Sequence, residues 1–175
     1  MIGAVMVMLI DAIKLTLFPA MMAFAASSDL FTMTIANRVS LILVAGFAVL
    51  APLTGMSAAE MASHAAAAAA VLAVVFVLFT CGWIGGGDAK LAAVTVLWLG
   101  FAHLADYLLY ASLFGGALTF MIIQFRAVPL PQPLVGREWA ERLHRGDGGV
   151  PYGIALAAAA LLIYPHTQWM AAVGG

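Results

Sequence analysis

Charged side chains are scarce in this sequence: Asp, Glu, Lys and Arg make up only 9% of its 175 residues, whereas 65% are hydrophobic. A soluble domain carries about 25% charged and about 45–50% apolar residues. So few charges cannot cover the surface of a folded chain in water, so the composition predicts a protein whose solvent is lipid. At this length a single membrane-embedded domain over residues 1–175 is the simplest organisation.

A basic excess and paired cysteines are lacking as well. The formal net charge is −1, which excludes a nucleic-acid partner because no basic surface is available to neutralise phosphates. The one cysteine, Cys81, cannot form an intrachain disulfide, and we expect it to be a small packing residue. Neither Cys-x-x-Cys nor paired histidines with metal-ligand spacing occur, so we expect no metal and no cofactor.

Apolar stretches recur along the chain; four are near the length of about 20 residues that a membrane helix requires, and two, at 39–53 and 91–101, are shorter. They predict an all-α, polytopic membrane helix bundle of about six transmembrane helices, near residues 6–26, 39–53, 65–84, 91–101, 104–125 and 152–173. The first stretch lacks a basic n-region, which predicts a retained span rather than a cleaved signal peptide. Ser27-Ser28-Asp29 is expected to break the first helix, Glu60 and His64 to form a turn before the third, and residues 126–149 to form a polar loop.

The few basic residues predict an orientation. With six spans and the N-terminus outside, six of the seven fall on the cytoplasmic side, namely Arg38, Lys90, Arg126, Arg137, Arg142 and Arg145, and only Lys14 falls outside. The same arrangement brings Asp29 and Asp88, near the ends of the first and third spans, to the cytoplasmic face.

Asp29 and Asp88 are the main candidates for chemistry, because ionisable residues at membrane depth are costly and indicate function. Two neighbouring carboxyl groups share a proton near neutral pH, so one can activate water while the other protonates a leaving group. Helix capping by two interfacial aspartates explains their spacing about equally well. Gly85-Gly86-Gly87 before Asp88 predicts an open, flexible backbone against which an extended peptide can pair.

These segments carry a resemblance to a known family. Gly85-Gly86-Gly87-Asp88 matches the Gly-x-Gly-Asp signature of intramembrane aspartic proteases, and Lys90 fits the longer Gly-x-Gly-Asp-x-Lys signature of prepilin (type IV leader) peptidases. Phe18-Pro19, Ala25 to Asp29, and Ile35 to Arg38 look like the region around that family's first catalytic aspartate. Pro151-Tyr152-Gly153 extends the likeness to the last span. The chain resembles the short form associated with Flp/Tad-type pili.

The resemblance implies an aspartic-type endopeptidase of the inner membrane, which removes the leader peptide from Flp-type prepilins at the cytoplasmic face. It implies Asp29 and Asp88 as the catalytic pair, and its partners would be pilin precursors, membrane lipid and pilus-assembly components. Substrate binding or support is assigned to Gly85, Gly86, Gly87, Lys90, Asn37 and Arg38. A positive-inside anchor explains Lys90 about as well, and a helix start and an anchor explain Asn37 and Arg38 about as well.

Two features depart from the family pattern. Ala36 stands where a proline is usual, and the cysteine-rich cytoplasmic insertion of long members is absent, which leaves N-methylation of the product open. The alternative function is that of a non-enzymatic membrane scaffold or a small transporter subunit. In a transporter, aspartates that carry protons or cations are expected nearer the bilayer midplane than the helix ends.

The orientation is testable by cysteine accessibility in a Cys81→Ala background. Single cysteines placed in the 126–149 loop should resist an impermeant thiol reagent added from outside, because the positive-inside asymmetry keeps that loop in the cytoplasm. Cysteines placed before residue 6 serve as the outside control and should react. Reaction of the loop positions in intact cells would contradict the orientation.

Overall fold

Helices make up all the regular structure in the computed structural model, which describes residues 2–146 and 148–171. The α-helices are α1 (Ile2–Thr32), α2 (Asn37–Leu53), α3 (Ala58–Thr80), α4 (Gly86–Leu99), α5 (Leu104–Ala127), α6 (Glu138–His144), α7 (Tyr152–Ile163) and α8 (Gln168–Ala171). Single 3₁₀ turns occupy Phe101–His103, Gln132–Leu134 and Tyr164–His166.

The predicted class, an all-α membrane helix bundle, is confirmed. Three helical stretches are long and apolar enough to cross a membrane: Val5–Thr32, Ala58–Thr80 and Phe101–Ala127. Two further apolar helices, Asn37–Leu53 and Tyr152–His166, are shorter. With α4, which is 14 residues long, they fill the space between the three long helices.

The end of α1 differs from the prediction, because the helix continues through Ser27-Ser28-Asp29 to Thr32. The hydroxyl groups in this segment satisfy backbone carbonyls of the preceding turn: Ser27 Oγ donates to Ala23 O at 2.8 Å and Thr32 Oγ1 to Ser28 O at 2.7 Å. Hydroxyls that bond back in this way leave the helix intact. The helix ends at Met33, whose φ of 54° lies in the left-handed region common after a helix.

Two other predicted boundaries are also wrong. Glu60 and His64 lie inside α3, which begins at Ala58, because Ser57 and Glu60 form a capping box in which each side chain accepts from the other's backbone N–H. The helix of the last predicted span, α7, stops at Ile163, and a 3₁₀ turn with Pro165 follows. Proline has no N–H for a helical hydrogen bond. Residues 172 and 173 of that predicted span lie outside the described residues.

The connections between the helices lie at two opposite ends of the bundle. Short connections of four or five residues join α1 through α5 in succession, so consecutive helices run in opposite directions. The connections at residues 33–36, 81–85 and 128–151 meet at the end that holds Asp29 and Asp88, which we call the carboxylate end. The connections at 54–57 and 100–103 meet at the opposite end, where Glu60, Gly100, His103 and Gln168 line one cavity.

Helix α4 lies at the centre of the bundle and packs against α2, α3 and α7. Nearly all of its residues from Leu91 to Leu99 are buried. Trp98 is fully buried, donates from Nε1 to Leu43 O at 3.0 Å, and contacts the ring of Trp169 with centroids 4.8 Å apart. Phe18 and Tyr164 stack beside it at 4.4 Å. This aromatic cluster fixes α4 relative to α1, α2 and the chain after α7.

Large apolar side chains cover the outside of the bundle. Examples on three helices are Leu41, Val74 and Phe120, each more than 60% exposed. A surface of this kind suits hydrocarbon rather than water, in agreement with the composition.

Replacing Trp98 with alanine should destabilise the fold by about 3–5 kcal/mol, because the change leaves a cavity in the central cluster and removes the hydrogen bond to Leu43 O. Thermal unfolding of the purified protein in detergent measures the effect. Trp83→Ala is the matched control, since Trp83 is 76% exposed. Equal unfolding temperatures for the two variants would show that Trp98 does not hold the bundle together.

Candidate active site

Asp29 lies one turn before the end of α1 and is 5% exposed. Its Oδ2 accepts a hydrogen bond of 2.7 Å from the backbone N–H of Gly153. Gly153 belongs to the first turn of α7, where backbone N–H groups have no partner within the helix. A backbone donor at a helix start therefore fixes the orientation of this carboxyl group.

The contact between α7 and Asp29 requires glycine at position 153. A Cβ atom on Gly153 would lie 2.8 Å from Asp29 Oδ2 and 2.7 Å from Ile35 Cδ1. Both distances are shorter than a real Cβ contact allows. The missing side chain lets the start of α7 approach α1 closely enough for the hydrogen bond to form.

Asp88 lies in the first turn of α4, and its carboxyl group turns back toward Gly85, the N-cap residue. A Cβ on Gly85 would lie 3.0 Å from Asp88 Oδ2. Acidic groups are favoured at this end of a helix because its unpaired N–H groups carry partial positive charge. The start of α4 thus supports Asp88 as the start of α7 supports Asp29.

The glycine run before Asp88 is more ordered than predicted. Gly86 and Gly87 are helical, so the expected open, flexible backbone is wrong for these two residues; only Gly85 is extended. Close packing explains both glycines. A Cβ on Gly86 would lie 3.2 Å from Phe79 Cε2, and one on Gly87 would lie 3.2 Å from Ile35 Cβ.

Both aspartates line one cavity of about 770 Å³ at the carboxylate end. The cavity begins at the Gly82–Gly85 connection and extends inward to Val71 of α3 and Tyr107 of α5. Its walls are mainly apolar, with contributions from Val71, Val75, Leu78, Ala92, Leu108, Ala111 and Leu156. A pair of carboxyl groups at the mouth of an apolar cavity can activate water against an amide bond of an apolar ligand.

The remaining predicted site residues lie outside the lining of this cavity. Lys90 Nζ donates to Asn37 Oδ1 at 2.8 Å, joining the start of α4 to the start of α2 on an exposed surface. Arg38 is exposed beside Asn37. These three residues are therefore grouped near the carboxylate end but not against the carboxyl groups.

Arg126 holds the segment that follows α5 in place at the carboxylate end. Its positive charge alone did not indicate this structural role. Its guanidinium donates to three backbone carbonyls, Leu143 O at 2.8 Å, Gly148 O at 2.8 Å and Gly149 O at 3.0 Å. Arg142 ties the same segment to α1 by donating to Phe31 O at 2.8 Å. The loop predicted at 126–149 is thus partly helical, through α6, and it brings Gly149 and Val150 to the cavity wall.

Other polar residues lie away from this cavity. Asp11 and Lys14, one turn apart in α1, form an ion pair, with Lys14 Nζ 2.7 Å from Asp11 Oδ1. Cys81, predicted to be a small packing residue, is exposed at the C-cap of α3. Within residues 2–146 and 148–171, no three His, Cys, Asp or Glu side chains are grouped to hold a metal ion.

The fold and the cavity together describe a membrane helix bundle that holds two carboxyl groups at one end. The family model of the type IV leader peptidases matches residues 16–120, which include Asp29, Asp88 and the glycine run. That match covers more than half of the sequence, and the chain belongs to the type IV leader peptidase family. Comparison with curated proteins and with solved structures gives no match.

Two residues of the site were missed as functional candidates in the sequence. Gly153 was noted only as part of the Pro151-Tyr152-Gly153 likeness, and its contact with Asp29 joins residues 124 positions apart. Tyr107 gave no signal at all, because a tyrosine in an apolar helix is ordinary. No local pattern indicates that it lines the same cavity as Asp88.

Gly153→Ala should lower peptidase activity by about 100-fold, because the added methyl displaces either Asp29 or the start of α7, and a displacement near 1 Å has an effect of that size. Conversion of a leader-bearing precursor by purified variants measures it. Gly116→Ala is the control, since a Cβ there meets nothing within 4 Å. Similar rates for both variants would mean that the contact with Asp29 is dispensable.

Proposed function

We propose that this chain is an aspartic-type endopeptidase that removes the leader peptide from Flp-type prepilins at the cytoplasmic face of the inner membrane. Membership of the leader peptidase family supports the class of reaction and a prepilin substrate. The observation that carries the catalytic assignment is that Asp29 and Asp88, from two different helices, line one cavity. Residues 1–175 act as one membrane-embedded peptidase domain.

The reaction needs one proton shared between the two carboxyl groups. Two carboxyl groups that share one apolar cavity favour a state with one proton between them, in which one group is charged and the other protonated. The charged carboxylate takes a proton from water as the water oxygen bonds to the scissile carbonyl carbon. The protonated carboxyl group gives its proton to the amide nitrogen as the carbon–nitrogen bond breaks. The products are a free carboxylic acid on the leader and a free amine on the mature pilin.

The supports of the two carboxyl groups suit this chemistry. Gly153 N–H fixes Asp29 and the first turn of α4 holds Asp88, so little rearrangement is needed before water attacks the scissile carbonyl. Catalytic groups that are positioned in advance lower the barrier, because their ordering is not repeated in each reaction. No metal ion takes part in this scheme.

The charge distribution supports the proposed orientation. Arg126 and Arg142 bond to carbonyls at the carboxylate end, and Lys90 bonds to Asn37 there. Lys14 lies with Gln168 and Trp169 at the opposite end. Under the positive-inside rule the carboxylate end is cytoplasmic. A precursor whose leader remains in the cytoplasm would then meet the carboxyl groups where its apolar segment enters the membrane.

The cavity offers an apolar surface for the apolar segment of the substrate. The cavity that starts at the carboxyl groups is lined by aliphatic side chains of α3, α5 and α7. A basic leader and an apolar stem would place the scissile bond at the boundary between the two environments. Lys90, Asn37 and Arg38, exposed at this end, are proposed to support the leader or the lipid headgroups beside it.

Asp29→Asn and Asp88→Asn should each reduce precursor conversion by at least about 100-fold, because an amide keeps the shape of the carboxyl group but cannot take a proton from water. Lys90→Ala and Cys81→Ala should only weaken conversion. The measurement is the rate of precursor-to-mature conversion in membranes that contain equal amounts of each folded variant.

Asp106→Asn is the matched control, since Asp106 lies in the first turn of α5 at the opposite end of the bundle. It should convert the precursor at the wild-type rate. If both Asp29→Asn and Asp88→Asn process the precursor as fast as this control does, the peptidase mechanism is abandoned and a scaffold role replaces it.

A further inference from the structure

A buried lysine lies at the end of the bundle opposite to the carboxylate end. Lys14 is only 3% exposed, and among residues 2–146 and 148–171 the acceptor of its ammonium group is Asp11 Oδ1, at 2.7 Å. An ammonium group has three N–H donors, so this one acceptor leaves donors for a further polar partner. A buried charge is costly unless its hydrogen bonds are completed. The surroundings of Lys14 therefore indicate what such a partner is.

Lys14 lines a cavity that also contains a negative charge. This cavity has a volume of about 130 Å³ and is lined by Lys14, residues 54–56, Glu60, Gln168 and Trp169; we call it the Lys14 cavity. Ser57 donates to Glu60 Oε2 from both its backbone N–H and its Oγ, each at 2.7 Å, so Oε1 can accept from another donor. A cation and a carboxylate in one cavity suit a ligand that carries both charges.

The Lys14 cavity lies below the level that α1 reaches. Residues 2–13 of α1 extend beyond it by about 18 Å, and Val5, Met8 and Leu9 are each more than 60% exposed. Helix α2, which packs beside α1, has 17 residues and a length of about 26 Å, whereas the hydrocarbon layer is about 30 Å thick. A bilayer becomes thinner beside a short helix and around a charge at membrane depth. Lipid headgroups are therefore drawn toward Lys14.

An apolar surface leads from the lipid to the same cavity. Leu41, Val49 and Leu53 of α2 are each more than half exposed, and the helix ends directly before residues 54–56 of the cavity wall. Acyl chains of a lipid can lie along this face while its headgroup enters the cavity. An amphiphile is therefore favoured over a soluble molecule with the same two charges.

We propose that the Lys14 cavity binds the headgroup of phosphatidylethanolamine, with the phosphate on Lys14 and the primary amine on Glu60. One water needs about 10–15 Å³ of such volume, so the cavity has room for phosphate and amine together. A glycerol headgroup has no cation for Glu60, and the quaternary ammonium of choline has no N–H to donate. The site is separate from the peptidase chemistry, because Asp29 and Asp88 lie at the other end of the bundle.

The bound lipid should stabilise the fold, because it contacts α1, the connection between α2 and α3, and α3 itself, and a ligand of the folded state raises its stability. Purified full-length protein in a nonionic detergent is titrated with dioctanoyl phosphatidylethanolamine, phosphatidylcholine or phosphatidylglycerol. The shift of the unfolding temperature with lipid concentration gives an apparent Kd. We expect the ethanolamine lipid to bind at least about tenfold more tightly than the other two, the value of one hydrogen bond to a charged group.

Two variants test the assigned contacts. Glu60→Gln should bind the ethanolamine and choline lipids equally, because the charge that attracts the amine is lost while an amide oxygen still caps α3. Lys14→Met combined with Asp11→Asn, which leaves no unpaired carboxylate, should weaken all three lipids by about tenfold. Asp106→Asn is the matched control, since Asp106 lies at the same end but outside the lining of the cavity, and it should keep the wild-type preference.

Equal affinities of the wild-type protein for the three lipids would overturn the proposal, and so would an unchanged ethanolamine preference in Glu60→Gln. Soluble phosphoethanolamine at the same concentrations distinguishes a lipid from a free ligand. It should leave the unfolding temperature unchanged, and a shift as large as that with the lipid would refute the lipid assignment. Should the double variant fail to fold, the wild-type titrations and Glu60→Gln still decide.

Discussion

Backbone and side-chain polar groups in this molecule must find partners within the protein, because lipid offers none. Helix α4 shows the constraint most clearly, since it is short and buried at the centre. Its last carbonyls accept from residues far along the chain: Leu97 O from the ring of His64 at 2.8 Å and Trp98 O from Trp169 Nε1 at 2.7 Å. At its first turn lies Asp88. A short helix is thus held at both ends by its neighbours, and its depth in the bundle is fixed.

The same constraint shapes the carboxylate end. The free N–H groups at the start of α7 need acceptors, and Asp29 supplies one through its contact with Gly153. The end of α5 and the chain before α7 are joined by Arg126, which satisfies three carbonyls of an otherwise irregular segment. The contacts that satisfy the backbone polar groups at this end therefore also position the carboxyl groups. A change that frees either helix start would also move a carboxyl group.

Glycine makes that arrangement sterically possible at two places. Gly87 and Gly153 both pack against Ile35, in the connection between α1 and α2. The starts of α4 and α7 are thereby brought close to the end of α1, so both carboxyl groups reach one cavity. A glycine run is expected to make the backbone flexible. In this bundle the glycines instead allow helices to approach each other closely, as is common in membrane proteins.

Composition and apolar run length determined that the chain is an all-α membrane bundle, since long apolar runs predict helices, and a helix satisfies its own backbone hydrogen bonds in lipid. The sequence also singled out Asp29, Asp88 and the glycine run, because charged residues and glycines are conspicuous in apolar surroundings. It misjudged the ends of α1, α3 and α7, where hydroxyl back-bonding, a capping box and Pro165 decide the boundary. Only the tertiary structure brought Gly153 to Asp29, Arg126 to the loop carbonyls and Tyr107 to the cavity. Those contacts join residues far apart in the chain, and a helical sequence carries no periodic signal for the partner that a single side chain meets.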